Sequence, residues 1–461
     1  MRWGAGILLC LCVVCGYATK VSARFLEASD VRDAPRPRVA CHPSPTAGTR
    51  YVDPDRLGPH SYKLSFREQS GIVYTARGGH IDITHIRKAA DWSAYLAYQL
   101  QETLRHKRPA YSYRMREPSI YRVRIRYPDG WAALPADVQQ RIATDVSIEL
   151  GRYLSFVGVT WHEMLTWFGF KSAGFYSEYP SAFSWEDNYS NVLGSHLGAL
   201  AVRDPRYDYD RAMTEALADE LRRLRVQPPD VAKEAGEAVR DWWFVGGFVF
   251  CDMLKRHLDI GADDGCVTPW VVPGFCEDAD CLPISYGAPN LDFLDEYGFS
   301  VDIEIEPREW ERHKIFRILY PVWGDREPRI VPARHFGPIL ETIRAEAISR
   351  YGVGVDRFAK APRDTEQPFV ARSAELGRLA YAAPGSEEAA VITASVVYAD
   401  GLPNRCACPG AIIGDVNGDC RLSKADFAEW AAHWLEEGTS PGVLMEARAP
   451  VTDAGTIASG Y

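Results

Sequence analysis

Apolar residues recur every three or four positions from Asp82 to about His106, where Ile86, Ala89, Ala90, Ala94, Leu96, Ala97 and Leu100 share one broad face. That period predicts a long helix with one buried side. A second helical pattern runs from Asp137 to about Phe168, read as two helices broken near Gly158. A third begins after Ser184, the expected N-cap, with Glu186 and Asp187 in the first turn, where carboxylates suit the helix dipole. Further helices are expected near 209–225, 231–258 and 336–350. Strict alternation replaces this period in "YRVRIRY" (121–127) and "VDIEIEP" (301–307), which read as half-buried strands. The segments "YKLSF" and "GIVYTAR" read as shorter ones, and 261–296, rich in Gly, Pro and Cys, as loops. These elements predict a helix-rich α+β main domain over 61–355, preceded by a linker or loosely packed arm at 24–60.

The 461 residues are 46% apolar and 25% charged, with a net charge of −10. The chain can build a large core, and its overall charge gives no attraction for nucleic acid. Met1-Arg2, the apolar run "GILLCLCVVCGYA" and Val21-Ser22-Ala23 have the layout of a secretory signal over 1–23. The protein is therefore expected to be exported to the periplasm, cell surface or medium, with no transmembrane helix after cleavage. Cys15 could instead carry a lipid, although Val13 and Val14 fit that motif poorly. Eight of the eleven cysteines follow the leader, an even number that allows disulfides in an oxidising compartment.

Beyond the main domain, 356–404 reads as a linker in which "AAVITASVVYA" could form a strand, and 439–461 as a disordered tail. Between them lies "GDVNGDCRLSKADFAEWAAHWLEE". Counted from Asp415, loop positions 1, 3, 5, 7, 9 and 12 are Asp415, Asn417, Asp419, Arg421, Ser423 and Asp426. This spacing wraps side-chain oxygens, the Arg421 carbonyl and a final carboxylate around one calcium ion. The following residues make an amphipathic helix through Phe427, Trp430, Ala431 and Trp434. The segment 405–438 resembles the EF-hand-like calcium loop and helix of a type I dockerin repeat. That resemblance implies calcium binding and docking to a scaffold or cohesin-like partner. It departs from the pattern in having one loop rather than two, and Cys420 stands where glycine is usual.

Three polar clusters mark the main domain. "GGHIDITHIRKAADW" holds His80, Asp82, His85 and Asp91. Asp82 and His85, three apart at a helix start, can share a face and offer an ion an oxygen and a nitrogen. The plainer reading makes Asp82 a cap and His85 a buried core histidine. "WHEMLT" begins like the zinc-peptidase H-E-x-x-H motif with His162 and Glu163, but Thr166 replaces the second histidine. "SAFSWEDNYSNVLGSHLG" carries Glu186, Asp187, Asn191 and His196 among aromatic and aliphatic residues. Together these three blocks resemble an uncharacterised bacterial family, domain of unknown function 4056, over roughly 60–350. The resemblance implies one domain and no particular activity.

The chain has no G-x-S-x-G elbow and no P-loop. The basic stretch 105–126 carries eight Lys/Arg and one Glu, and could bind a polyanion or simply be the solvated face of a strand. Two functional readings follow. In the first, an exported hydrolase gathers His85, His162, Glu163 and His196 around a water or a metal ion, with Glu163 as general base. Zinc or another divalent metal would then be held by Asp82, His85, His162 and His196. In the second, a non-catalytic envelope or surface-binding protein keeps the same residues as caps and core.

Overall fold

The computed structural model describes residues 30–356, apart from 172–177, 248–249, 274, 276–281, 323–326 and 353–354. The residues read as a leader (1–23), the expected strand "AAVITASVVYA", the expected calcium loop Asp415 to Asp426 and the expected tail (439–461) lie outside them. The described chain is a helix-rich α+β domain with short antiparallel strands.

Its axis is helix α1 (Ile83–Arg105), which is buried on nearly every side, including Ile86, Ala90, Leu96 and Leu100. A helix covered all round lies between others, and here α2 (Ala136–Trp167) and α3 (Asp187–Arg203) flank it. Glycines make the approach close. A Cβ on Gly151 would stand 2.5 Å from the Ala97 nitrogen, and one on Gly194 would stand 2.3 Å from the Ile86 carbonyl oxygen. Helices α4 (Tyr209–Arg223) and α5 (Pro229–Ala238) complete this half.

Strands β1 (Ile72–Thr75) and β2 (Gly79–Asp82) form a hairpin that leads straight into α1, with β5 (Val226–Gln227) on the other edge of β1. A second sheet, in the order β10-β4-β3, joins β3 (Ala110–Tyr113), β4 (Ile120–Arg126) and β10 (Ser300–Glu306). Its inner face, with Tyr121, Val123, Ile303 and Ile305, packs into one core with Leu150, Leu154 and Trp161 of α2. Two small hairpins, β6 (Phe244–Gly247) with β7 (Phe250–Met253) and β8 (Cys266–Val267) with β9 (Tyr286–Gly287), follow α5. Helices α6 (Phe293–Tyr297), α7 (Arg312–Leu319) and α8 (Pro332–Tyr351) close the sheet side.

The structure departs from the sequence pattern in six places, one being that β8, β9 and the start of α6 fall in the expected loops 261–296. Helix α2 runs unbroken through Gly158, whose missing side chain admits the Met115 sulfur rather than ending the helix. The helix expected over 231–258 stops at Ala238, and Phe244–Gly247 pairs with Phe250–Met253 as the β6–β7 hairpin. Its continuous apolar run suits either state, and Gly246, at φ 107°, favours the hairpin. "YKLSF" is no strand, and Leu64 and Phe66 are exposed. Helix α3 starts at Asp187, not after Ser184. The arm is fastened rather than loose: Arg38 is buried, bonding Asp91 Oδ2 from Nη2 at 2.8 Å and Glu68 Oε2 from Nη1 at 2.9 Å.

Candidate functional site

The N-terminal end of α1 meets the start of α3 and the last turns of α2, and the polar blocks converge there. Asp82 caps α1, accepting the Thr84 amide at 2.6 Å with one oxygen and the Cys41 amide of the arm at 2.6 Å with the other. The cap reading of Asp82 is thus correct, yet the residue also faces the cluster. His85 sits one turn along α1. Its Nδ1 is 3.1 Å from Asp187 Oδ1 at the start of α3 and 3.6 Å from Asp82 Oδ2.

Helix α2 contributes Glu163 inward and His162 toward the rim, because adjacent helical residues diverge by about 100°. Glu163 is buried and its Oε2 accepts the Phe183 amide at 3.0 Å. Burial raises its carboxyl to about 7, and the neighbouring Asp187 adds to the rise, against a partial pull from His162, His85 and the Phe183 amide. The His162 side chain is 14% exposed, with Nδ1 2.6 Å from Glu117 Oε1 and Nε2 3.7 Å from Glu178 Oε2. Glu178 is one-third exposed, so this edge is where the cluster opens. Burial works against ionisation of Glu117, but His162 prevails and holds its carboxyl at about 2.

The remaining carboxylates are also displaced. Burial raises Glu186 and Asp187, each pushed further or held by its neighbours: Asp187 acts on Glu186, while the Ser184 amide holds Asp187 at 2.8 Å. Asp82 is raised too, first by burial. Burial thus favours the neutral form of four carboxyls, Asp82, Glu163, Glu186 and Asp187, beside two imidazoles and the half-buried Lys88. Among the buried atoms of the cluster without an aligned hydrogen bond are His85 Nδ1, His162 Nδ1 and Glu186 Oε2. Among the described residues no three His, Cys, Asp or Glu side chains are disposed as the ligands of one metal ion.

The structure thus brings together Asp82, His85, His162 and Glu163, with Glu186 and Asp187 beside them. It does not bring His196 to them. That residue lies nine positions along α3 from Asp187, about 13 Å of helix rise. There its Nε2 meets the Gly287 carbonyl oxygen at 2.9 Å, beside Tyr286 and within the influence of Arg152 and Arg223. His80 is a core histidine between the Ala232 carbonyl and the Trp185 indole. Asp91 turns away to Arg38 and His60. The free thiols of Cys41 and Cys251 are both raised by burial, which keeps them from acting as nucleophiles at neutral pH.

Sequence reasoning missed Glu117, Ser184 and the Phe183 amide. Glu117 did carry a signal, as the lone acid in the basic stretch 105–126. Three arginines of that stretch pair across the sheet, Arg122 with Glu306, Arg124 with Glu304 and Arg126 with Asp302.

Residues 49–263 match the model of a family described as protein of unknown function (DUF4056). This segment is similar to the DUF4056 family. It spans the whole cluster from Asp82 to Asp187, starting earlier and ending well short of the 60–350 expected from the sequence. The second sheet's β10 and helices α6 to α8 follow the matched DUF4056 segment, and the arm residues up to Gly48 precede it. No curated protein and no solved structure matches the chain.

Proposed function

We propose that this domain is an exported hydrolase working by general acid–base catalysis at Glu163 and His162. The observation that carries this reading is the convergence of Glu163, Asp187, His85 and the His162–Glu117 pair at one buried centre with an open edge. Glu163 is half ionised near neutral pH, which is where a base is most effective. It takes a proton from water as the water oxygen attacks the substrate's electrophilic carbon, and His162 at the rim protonates the departing group. Glu117 orients that imidazole through Nδ1, as a carboxylate does in other acid–base pairs.

The test is hydrolysis of chromogenic esters, amides and glycosides by the purified protein. The expected result is turnover of one class with a bell-shaped pH profile, reduced at least 100-fold by Glu163→Gln and by His162→Ala. Turnover that survives both substitutions, or no turnover of any class, overturns the proposal.

A metal-assisted form of the same reaction is the second reading. It is favoured by the 3.1 Å separation of His85 Nδ1 and Asp187 Oδ1 without an aligned hydrogen bond. Two ligands of one zinc ion stand about 3 Å apart. His85 and Asp187 would supply two ligands, with water completing the shell, and the ion would supply Lewis acidity. Elemental analysis and loss of activity on chelation test it. We also propose that the loop Asp415 to Asp426 binds calcium, on the strength of its spacing alone. Titration of the full chain with terbium, read by luminescence and competed by calcium, checks this.

A further inference from the structure

We infer that Arg256 is a positioning residue for this centre: its guanidinium clamps the loop 179–184 so that the Phe183 amide is aimed at Glu163. The inference rests on the reading of Glu163 as the base, but concerns a residue outside the cluster.

The loop would not hold this shape alone. Phe183 has φ 55°, in the left-handed region that a bulky side chain rarely occupies. In that conformation its N–H points at Glu163 Oε2, 3.0 Å away. The next residue completes the arrangement: the Ser184 amide donates to Asp187 Oδ2 at 2.8 Å and the Ser184 hydroxyl to Glu186 Oε1 at 2.7 Å. One short loop therefore supplies donors to three of the buried carboxyls.

Arg256 fixes that loop from behind. Its Nη1 donates to the carbonyl oxygens of Ala182, Pro180 and Tyr179, at 2.7, 3.0 and 3.3 Å. Its Nη2 donates to Asp252 Oδ1 at 3.1 Å and to the Tyr351 hydroxyl at 3.2 Å. The rings of Trp167, Tyr179 and Tyr351 surround the guanidinium at 5.3 to 5.5 Å. The neighbouring amide, His257 N–H, donates to the Phe183 carbonyl at 2.8 Å, and Asn188 Nδ2 holds the His257 carbonyl at 2.6 Å. Both ends of the strained residue are thus gripped from one dipeptide. A planar fork can hold several carbonyls at fixed angles, whereas an ammonium cannot. Tyr351 ends α8, beyond the family segment, so the C-terminal helix also contributes to holding the centre.

The experiment compares Arg256→Gln and Arg256→Lys with wild type by two readouts. The first is the Glu163 carboxyl titration by difference infrared spectroscopy, with Glu163→Gln as the blank. The second is hydrogen exchange at the Phe183 amide. The expected result is an upward shift of the Glu163 midpoint by about one pH unit in Arg256→Gln, because a donor to the charged form is lost. Exchange at Phe183 accelerates at least tenfold, and Arg256→Lys falls between. Should Arg256→Gln fail to fold, Arg256→Lys gives the same readouts with a smaller expected shift. A purely structural arginine would lower the melting temperature and leave both readouts unmoved, which overturns the inference. Failure of the base reading is distinct: Glu163→Gln would retain turnover while the Phe183 amide still responded to Arg256.

Discussion

His85 on α1 and Asp187 on α3 stand 3.1 Å apart because two glycines let their helices touch backbone to backbone. At Gly194 a methyl group would lie 2.3 Å from the Ile86 carbonyl oxygen, and at Gly198 it would lie 2.5 Å from that of Ala90. Alanine improves helix propensity by about 1 kcal/mol at such positions, but clash with backbone that cannot rotate away costs about 1–3 kcal/mol or more. The clash wins. Gly194→Ala is expected to lower stability by about 2 kcal/mol in urea titration and to abolish the proposed hydrolysis with it, since α3 must move off α1 and carry Asp187 away from His85.

Glu163 gives a signed pH prediction. Its folded-state carboxyl is raised to about 7 from an ordinary value of 4.5. Its favourable contribution is therefore complete below about pH 4.5 and is lost as pH rises through 7. At pH 8 the buried charge costs about 3 kcal/mol relative to the neutral acid, taking 1.36 kcal/mol per unit. Glu163→Gln keeps the acceptor for the Phe183 amide and removes that cost. It should melt higher than wild type at pH 8, with the difference shrinking toward pH 5. Equal differences at the two pH values would show that Glu163 titrates normally.

Much of this was visible in the sequence, for identifiable reasons. The period of α1 and the alternation of β4 and β10 are local signals, and local burial obeys them. Asp82 could be read as a cap because capping is decided within three residues. His196 could not be sorted from His85 by pattern, since both are buried histidines on helices packed together, α3 and α1, and only their positions along those helices separate their surroundings. The strained Phe183 and the grip of Arg256 leave no sequence signal: they depend on carbonyl groups, which every residue has. The arm misled for the converse reason. Its Pro- and Arg-rich composition resembles a linker, while its arginines find buried carboxylates on α1 and the loop before it.

The charge ladder on the second sheet is predicted to matter little. Arg122, Arg124 and Arg126 each reach a carboxylate on β10 two residues along from the residue directly opposite. These groups are largely solvated, and an exposed pair is worth about 0.2–1 kcal/mol. Arg124→Ser should therefore shift the urea midpoint by no more than that, and 0.5 M salt should erase part of the shift. The same pairing predicts weak retention on a heparin column, and strong retention would show that the ladder opens to a polyanion.

The arm's attachment should behave in the opposite way. Asp91 is fully buried and bonds Arg38, His60 and the Tyr209 hydroxyl, while Arg38 also holds Glu68, which pairs with Arg87. Removing one member strands the others in a medium that cannot solvate them, at a cost of about 3–5 kcal/mol. Asp91→Asn and Arg38→Met are each expected to lose that much and to expose residues 30–60 to protease before the rest of the domain. The pH sign is the reverse of that for Glu163. Burial raises the Asp91 carboxyl but His60 and Arg38 outweigh it, so the folded value lies below the ordinary 3.8. The stabilisation is then present above about pH 4 and disappears as pH falls through the folded value. Wild type should therefore lose stability steeply below pH 4, with a shallower loss in Asp91→Asn, and urea midpoints measured from pH 7 to pH 3 compare the two directly.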